Sequence, residues 1–483
     1  MAFVSGTVSG STRTAAGPGE AVSGPRRAHD ATVDALVRAY RAVPAGTRVR
    51  LGKRTSNLFR FGATTGTAVH LDTSGLAGVI EVDREARTAD VQGMCTYEDL
   101  VAATLPHGLM PLVVPQLKTI TLGGAVTGLG IESTSFRHGL PHESVVEMDV
   151  LTPAGELVTA RPDGDSADLF HAFANSYGTL GYALRLRIEL QPVKPYVKLT
   201  HHRYRTAEEA TAAIAEFSAS GIDFLDGTVY SATEHYVSVG EFVDAPTPGA
   251  RVSDYTGMAV FWKSLATRPV DHLTVHDYLW RWDTDWFWCS RAFGVQVPWV
   301  RRLWPARFRR SDVYRRLVAL DQRYQASNRI RRRLGHPEEE MVIQDVEIPT
   351  ANLPEFLAEF HAHVGISPVW LCPLQLRGER TWPLYPMKPH TPYVNVGFWS
   401  SVPITGGATE EERADPTIRT KHNRFVEDLV ARLDGHKSLY STVHYGEAEF
   451  WERYNGTAYR AVKDRYDPLG RVPDLYTKVG GAA

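Results

Sequence analysis

Thr121-Leu122-Gly123-Gly124-Ala125-Val126-Thr127-Gly128-Leu129-Gly130-Ile131-Glu132-Ser133-Thr134-Ser135-Phe136-Arg137-His138-Gly139 is the stretch whose reading decides the fold. A second cluster, Gly178-Thr179-Leu180-Gly181, stands just before the apolar run Ala183 to Leu190. Clustered glycines permit positive φ and let the backbone approach a ligand closely, and exposed amides at turns cradle pyrophosphate oxygens. Each cluster taken alone is equally compatible with ordinary turn glycines. Two nucleotide-binding readings are excluded. Gly128-Leu129-Gly130-Ile131-Glu132-Ser133 has Ser where a dinucleotide fingerprint requires its third glycine, and no GxxxxGK[ST] occurs.

Outward from this stretch the chain alternates short apolar or alternating runs with Gly-rich turns. Ala68 to Asp72, Gly78 to Val82, Thr88 to Gln92, Glu147 to Thr152 and Ala183 to Leu190 read as strands, with a helix from Tyr97 to Leu105. Before them, the spacing of Val33, Leu36, Val37 and Tyr40 predicts a helix ending ahead of Pro44-Ala45-Gly46. Residues 1–27, rich in Gly, Ser, Thr and Ala, are expected to be a disordered leader. Pro192 and Pro195 mark a boundary, giving one domain over 28–195 and a second over 196–483. In the second, Tyr196 to Tyr204, Gly227 to Val239, Arg251 to Phe261, Met341 to Ile348, Val369 to Leu376 and Tyr393 to Trp399 read as strands. Ala207 to Ser220 and Pro416 to Leu433 read as helices. The class is α+β.

Four motifs now stand in order: Gly52-Lys53-Arg54-Thr55-Ser56-Asn57, Thr121-Leu122-Gly123-Gly124, Gly130-Ile131-Glu132-Ser133 with Arg137-His138-Gly139, and Gly178-Thr179-Leu180-Gly181. Together they resemble the FAD-binding domain of the vanillyl-alcohol-oxidase-like (PCMH-type) flavoproteins. Pro195-Tyr196-Val197-Lys198-Leu199, Trp370-Leu371-Cys372-Pro373 and Glu449-Phe450-Trp451-Glu452 extend the resemblance to the Δ24-sterol reductase branch. That branch includes bacterial flavoproteins that reduce a methylene-branched fatty-acyl chain to its methyl-branched form.

The resemblance implies a two-subdomain FAD-binding domain followed by an α+β substrate domain on an antiparallel sheet, whose C-terminal segment 434–483 returns toward the flavin. FAD is expected near Lys53, Arg54, Thr55, Ser56, Asn57, Thr121, Gly123 and Gly124 at its pyrophosphate. Gly128, Gly130, Ser133 and His138 complete the glycine-rich wall, and Gly178, Thr179 and Gly181 stand near the flavin or adenine end. The first loop has no His or Cys for a covalent tether, so FAD is expected to be non-covalent, with NADPH as reductant. The sterol enzymes carry a membrane-spanning segment where this chain has its polar leader, which tilts the expected substrate toward the fatty-acyl chain. An alcohol or sugar oxidase of the same superfamily is the alternative.

An isolated alkene has no carbonyl to accept negative charge, so protonation must lead and a hydride then captures the tertiary cation. This requires an acid held beside the alkene in an apolar cavity. Tyr440-Ser441-Thr442-Val443-His444-Tyr445 alternates like a strand, placing Tyr440, Thr442 and His444 on one face and Ser441, Val443 and Tyr445 on the other. Tyr445, His444 and Glu132 are the expected acids. Ordinary strand aromatics and a hydrogen-bonded structural carboxylate are the competing readings.

Of the 483 residues, 53 are Lys or Arg and 55 Asp or Glu, a net charge of −2 that argues against a dedicated nucleic-acid binder. The total hides a window, 278–333, with six of the eleven tryptophans and fourteen arginines against four aspartates. Trp favours membrane interfaces and Arg anionic headgroups, so this window is expected to dock on an anionic membrane surface. Cys95, Cys289 and Cys372 form no CxxC pair, so no Cys-based metal site is expected. The expected location is cytoplasmic, peripheral on the inner face of the membrane.

Overall fold

The computed structural model describes residues 24–53, 55–60, 68–405 and 415–480. The expected leader therefore lies outside the described residues as far as position 23. From Gly24 the chain is already helical, as Gly24–Arg41, because His29, Val33, Leu36, Val37 and Tyr40 recur every three to four residues and bury one face. This helix packs near a parallel pair, β1 (Arg48–Leu51) and β2 (Ala68–Leu71).

A six-stranded antiparallel sheet follows, built from β3 (Val79–Asp83), β4 (Thr88–Gln92), β5 (Leu109–Pro111), β6 (Val145–Leu151), β7 (Leu157–Ala160) and β8 (Tyr182–Pro192). Its order is β3-β4-β8-β6-β7, with β5 also on β8. Within it Arg185 takes up three carboxylates at once, from Asp90, Glu147 and Asp149. The sheet changes between Pro192 and Tyr196, at the two prolines.

The second sheet has eight strands: β9 (Tyr196–Tyr204), β10 (Phe224–Ser231), β11 (Glu234–Val243), β12 (Val270–Thr274), β13 (Glu339–Pro349), β14 (Val369–Leu374), β15 (Tyr393–Pro403) and β16 (His436–Lys437). They are ordered β12-β9-β11-β10-β14-β15-β13-β16. Period-two alternation divides its residues cleanly. Val342, Val346, Val369, Leu371, Val394, Val396 and Phe398 point to one face, where helices Ala207–Ser218, Leu353–His363 and Lys421–Arg432 cover them. Trp370, Asn395, Gly397, Trp399 and Asp345 alternate with those residues and so occupy the opposite face, toward the first domain.

Three sequence readings are corrected. Gly227 to Val239 is a hairpin rather than one strand, turning between β10 and β11 after Ser231. Arg251 to Phe261 is a loop with a single bridge at Val252. The helix expected over 416–433 breaks at Thr420 into Pro416–Arg419 and Lys421–Arg432. A larger correction concerns the Arg/Trp window. Tyr278, Trp280, Trp282, Trp286 and Trp288 are all core residues, packed with Trp370 and Trp399. The aromatic half of the window therefore seals the open face of the eight-stranded sheet and is not available to a membrane.

The C-terminal segment returns to the first domain. Phe59 N–H donates to Tyr440 O at 2.9 Å, Ala154 N–H to Tyr466 O at 3.0 Å, and Lys463 Nζ to Thr179 O at 2.9 Å. A fully buried ion pair, Lys437 with Glu427, anchors this return. Lys437 Nζ also donates to Thr442 O at 2.7 Å, and Glu427 accepts the His444 N–H at 2.9 Å. Removing one partner of a buried pair strands the other. Lys437→Met is expected to destabilise the fold by about 3–5 kcal/mol in denaturant unfolding, and the double variant with Glu427→Gln should recover part of that loss.

Candidate functional site

The six- and eight-stranded sheets and the C-terminal return enclose a cleft of about 1050 Å³. Of the residues expected to bind FAD, Lys53, Thr55, Ser56, Asn57, Thr121, Gly123, Gly124, Gly128, Gly130, Gly178 and Gly181 line it. Arg54 lies outside the described residues. Three others are misplaced by the sequence reading. Ser133 is fully buried behind the wall, its Oγ bonded to Glu132 and to Tyr278 Oη at 2.8 Å. Thr179 is fully buried and donates to Ser176 O at 2.7 Å. His138 Nε2 meets Gln191 Oε1 at 3.1 Å, and burial, then Arg137, lowers its pKa to about 4.

One end of the cleft is cationic. Arg48, Arg50, Lys53, Arg60, Arg471 and Lys478 line it, against only Asp345 and Glu447 among the lining carboxylates. Thr121 Oγ1 caps Gly124 N–H at 3.2 Å and also accepts from Lys53 Nζ at 3.4 Å, which aims the ammonium across the glycine turn. A Cβ at Gly124 would stand 2.8 Å from that Oγ1 and 3.5 Å from Lys53 Nζ, so only glycine leaves the ammonium open. Burial, then Arg60, Lys463, Lys53 and Arg50, depresses Lys478 to about 7. Cations crowded so closely are relieved by an anion.

The other end is aromatic. Trp286, Phe287, Trp370, Trp399, Phe59 and Tyr440 line it. Phe287 stacks on Trp399 at 4.3 Å, and Trp286 stacks on Phe59 at 5.4 Å. Trp286 and Phe287 are consecutive left-handed residues, φ 46° and 59°. Bulky side chains rarely tolerate this, and such strain concentrates at functional sites. Behind the wall Asp226 accepts from Trp282 and Trp370 Nε1, each at 3.4 Å, and pairs with Arg281 at 2.7 Å.

Asp345 enters this aromatic end from β13. Its partner across the ladder is Gly397, where a Cβ would collide with Asp345 Oδ1 and with the Trp399 ring. Burial raises the carboxyl to about 7, opposed by hydrogen bonds from Asn395 and Tyr440. Trp399 Nε1 in turn donates to Tyr440 Oη at 3.0 Å. Sequence reasoning missed Asp345 and Lys478 as site residues and placed Tyr440 on one of the two candidate faces without choosing it. The alternation Ile343-Gln344-Asp345-Val346 in a buried strand was the available signal.

The expected acids lie elsewhere. Alternation along 440–445 holds, but the cleft takes the Tyr440 and Thr442 face. Tyr445 points the other way, buried beneath Arg453, whose guanidinium lies 5.0 Å from the ring. His444 shares the Tyr440 face but lies beyond the cleft lining, and burial, then Lys437 and Arg424, lowers it to about 3. Glu132, pushed up to about 7 by burial, faces Arg281 at 3.5 Å behind the wall. Among the described residues no cluster of His, Cys, Asp and Glu could hold a metal.

Residues 28–161 match the family described as FAD binding domain. With the cleft geometry, that makes the protein a flavoprotein with a PCMH-type FAD-binding domain. Over most of its length the chain is similar to Delta(24)-sterol reductases. It is 25% identical to the Caenorhabditis elegans homolog dhcr-24 over 87% of this chain and 81% of that one. The Homo sapiens enzyme is 24% identical, covering 84% and 77%. Cytokinin dehydrogenase 10 of Oryza sativa is 34% identical over 31% of this chain and 28% of its own.

The residues present fit FAD. Its diphosphate matches the cationic end, where Lys53, Thr121, Gly123, Gly124, Gly178 and Lys478 would hold it, and the open glycine turn admits it. Losing a hydrogen bond to a charged group costs about 1.5–3 kcal/mol, so Lys53→Met or Lys478→Met is expected to weaken FAD retention roughly ten- to hundred-fold. Because an anion would raise Lys478 from about 7, FAD binding one pH unit above that value should take up a proton. Calorimetry in buffers of different ionisation enthalpy measures this uptake.

Proposed function

We propose that this FAD-dependent oxidoreductase reduces an isolated carbon–carbon double bond of a lipid, with FAD held non-covalently and NADPH as the reductant. The observation that carries the reading is the aromatic end of the cleft with one carboxyl, Asp345, inside it. A neutral carboxylic acid can protonate an alkene, and the faces of Phe287, Trp370 and Trp399 favour the cation that forms. FAD, once reduced by NADPH, would supply the hydride that completes the reduction.

The chain's own residues set the proton's position. Tyr440 and Asn395 hydrogen-bond to Asp345, Trp399 fixes Tyr440, and the absence of a Cβ at Gly397 leaves room for the carboxyl. Burial of the carboxyl among the rings keeps the acid neutral at higher pH than usual.

The relatives named for sterol reduction favour a sterol side-chain double bond, and the sequence resemblance favours a methylene-branched fatty-acyl chain. Both yield a tertiary cation on protonation. A sugar or alcohol substrate fits less well, because oriented hydroxyl partners are few at an end built mostly of rings. Lipid analysis of a deletion strain distinguishes these by the unsaturated precursor that accumulates.

Asp345→Asn is expected to retain FAD and to lose turnover by 10²-fold or more, the scale of general-acid catalysis. Wild-type turnover should fall as pH rises through about 7, where Asp345 loses its proton. The effect on stability has the opposite sense. The unfolded carboxyl ionises near 3.8 and the folded one near 7, so a stability penalty grows between those values and persists above them. Asp345→Asn should therefore unfold at higher denaturant concentration than wild type at neutral pH. Gly397→Ala, which displaces the carboxyl, should slow turnover while leaving FAD bound. Tyr445→Phe should change turnover little.

A further inference from the structure

Residues 297–334 stand apart from the rest of the chain in what they expose. Of the thirteen large hydrophobic side chains exposed among the described residues, eight lie here, including Trp299 at 68%, Leu303 at 76%, Ile330 at 58% and Leu334 at 67%. The same stretch holds twelve arginines and two aspartates, and no lysine or glutamate. Several arginines are committed inward: Arg301 to Asp285, Arg310 to Glu98, and Arg309 to Gly257 O. Arg302, Arg307, Arg323, Arg329 and Arg333 are exposed among the apolar side chains. The helix Ala326–Arg333 buries none of its residues. An eight-residue helix is marginal in water without a surface to lie on.

We infer that residues 297–334 form an arm that seats the protein on an anionic lipid bilayer. Aliphatic and indole side chains enter the acyl boundary while the surrounding guanidinium groups meet lipid phosphates, the arrangement of interfacial amphipathic segments. A symmetric dimer through this face would set the exposed arginines of one copy, Arg302, Arg307, Arg323, Arg329 and Arg333, against those of the other, which opposes self-association. Nucleic acid is disfavoured because five of the eight exposed apolar side chains, Val297, Leu303, Leu320, Ile330 and Leu334, offer no ring for bases to stack on.

The arm also meets the cleft. Helix Ser311–Tyr324 carries Leu320 and Tyr324 outward, while its Arg315 donates to Ser56 Oγ at 3.2 Å and to Leu58 O at 2.9 Å. Ser56 and Leu58 line the cleft. The docking face and the rim of the cleft are thus two sides of one helix, so a lipid leaving the bilayer has a short path to the aromatic end.

Vesicle flotation of the full-length, FAD-loaded protein tests this. Wild type should float with vesicles of equal parts phosphatidylcholine and phosphatidylglycerol, and less with phosphatidylcholine alone. Each exposed arginine near an anionic surface is worth about a five-fold change in partitioning, so Arg323→Gln/Arg329→Gln/Arg333→Gln should lose roughly a hundred-fold. Trp299→Glu/Leu303→Glu should lose retention on both vesicle types. Neither variant touches the cleft, so the flavin spectrum should be unchanged, and flotation reads docking whether or not the proposed reaction is right. Wild type that fails to float with anionic vesicles, or variants that float as wild type does, would overturn the inference. It also falls if light scattering shows a dimer that both variants dissociate, or if RNA displaces the protein from vesicles at stoichiometric amounts.

Discussion

A carboxyl group held among aromatic rings is the interaction on which the rest of this structure turns. Asp345 lies across the ladder from Gly397, with Trp399 beside that glycine and a hydrogen bond from Tyr440. Withdrawing a carboxylate from water disfavours its ionised form, so the proton stays on to about pH 7. The surrounding architecture sustains that condition. The eight-stranded sheet supplies Asp345, Gly397, Trp370 and Trp399 from one face by simple alternation. The strained turn Trp286-Phe287 folds a further ring layer over them, and Asp226 pins Trp370 from behind.

The opposite end of the same cleft obeys the reverse electrostatic rule. There the lining groups are cations, aimed over glycines that keep the backbone open, and an anionic ligand relieves their mutual repulsion. One cavity thus joins a cationic end to an acid-bearing aromatic end. FAD spans such a gradient naturally, with a diphosphate at one part and a redox ring at another. The C-terminal return through Lys437 and Glu427 holds the two ends in register, since that ion pair fixes the backbone at Thr442 and His444 beside Tyr440.

Much of this was legible in the sequence where the signal is local. The glycine turns around Thr121 and Gly178 are legible as a cleft wall because a missing Cβ is a property of single positions. The alternation of 440–445 separates Tyr440 from Tyr445, but no local pattern says which face meets a cavity, and Tyr445 lies on the face away from it. Asp345 escaped notice because its role depends on Gly397 and Trp399, more than fifty residues away and joined to it only by strand pairing. Glu132 is legible only as a carboxyl in the glycine-rich stretch, and its pairing with Arg281 behind the wall depends on packing from nearly 150 residues away. The Arg/Trp window was read as one surface, whereas the fold splits it near residue 296 into a buried aromatic layer and an exposed basic arm.

A single-turnover experiment tests the central claim most directly. The FAD-loaded protein, reduced anaerobically and mixed with a methylene-branched acyl lipid or a Δ24 sterol, should regain oxidised flavin absorbance in proportion to the saturated product formed. Asp345→Asn should remain reduced under the same conditions. Flavin that stays reduced with both lipids in the wild type, and reoxidises only when oxygen is admitted, would contradict the account.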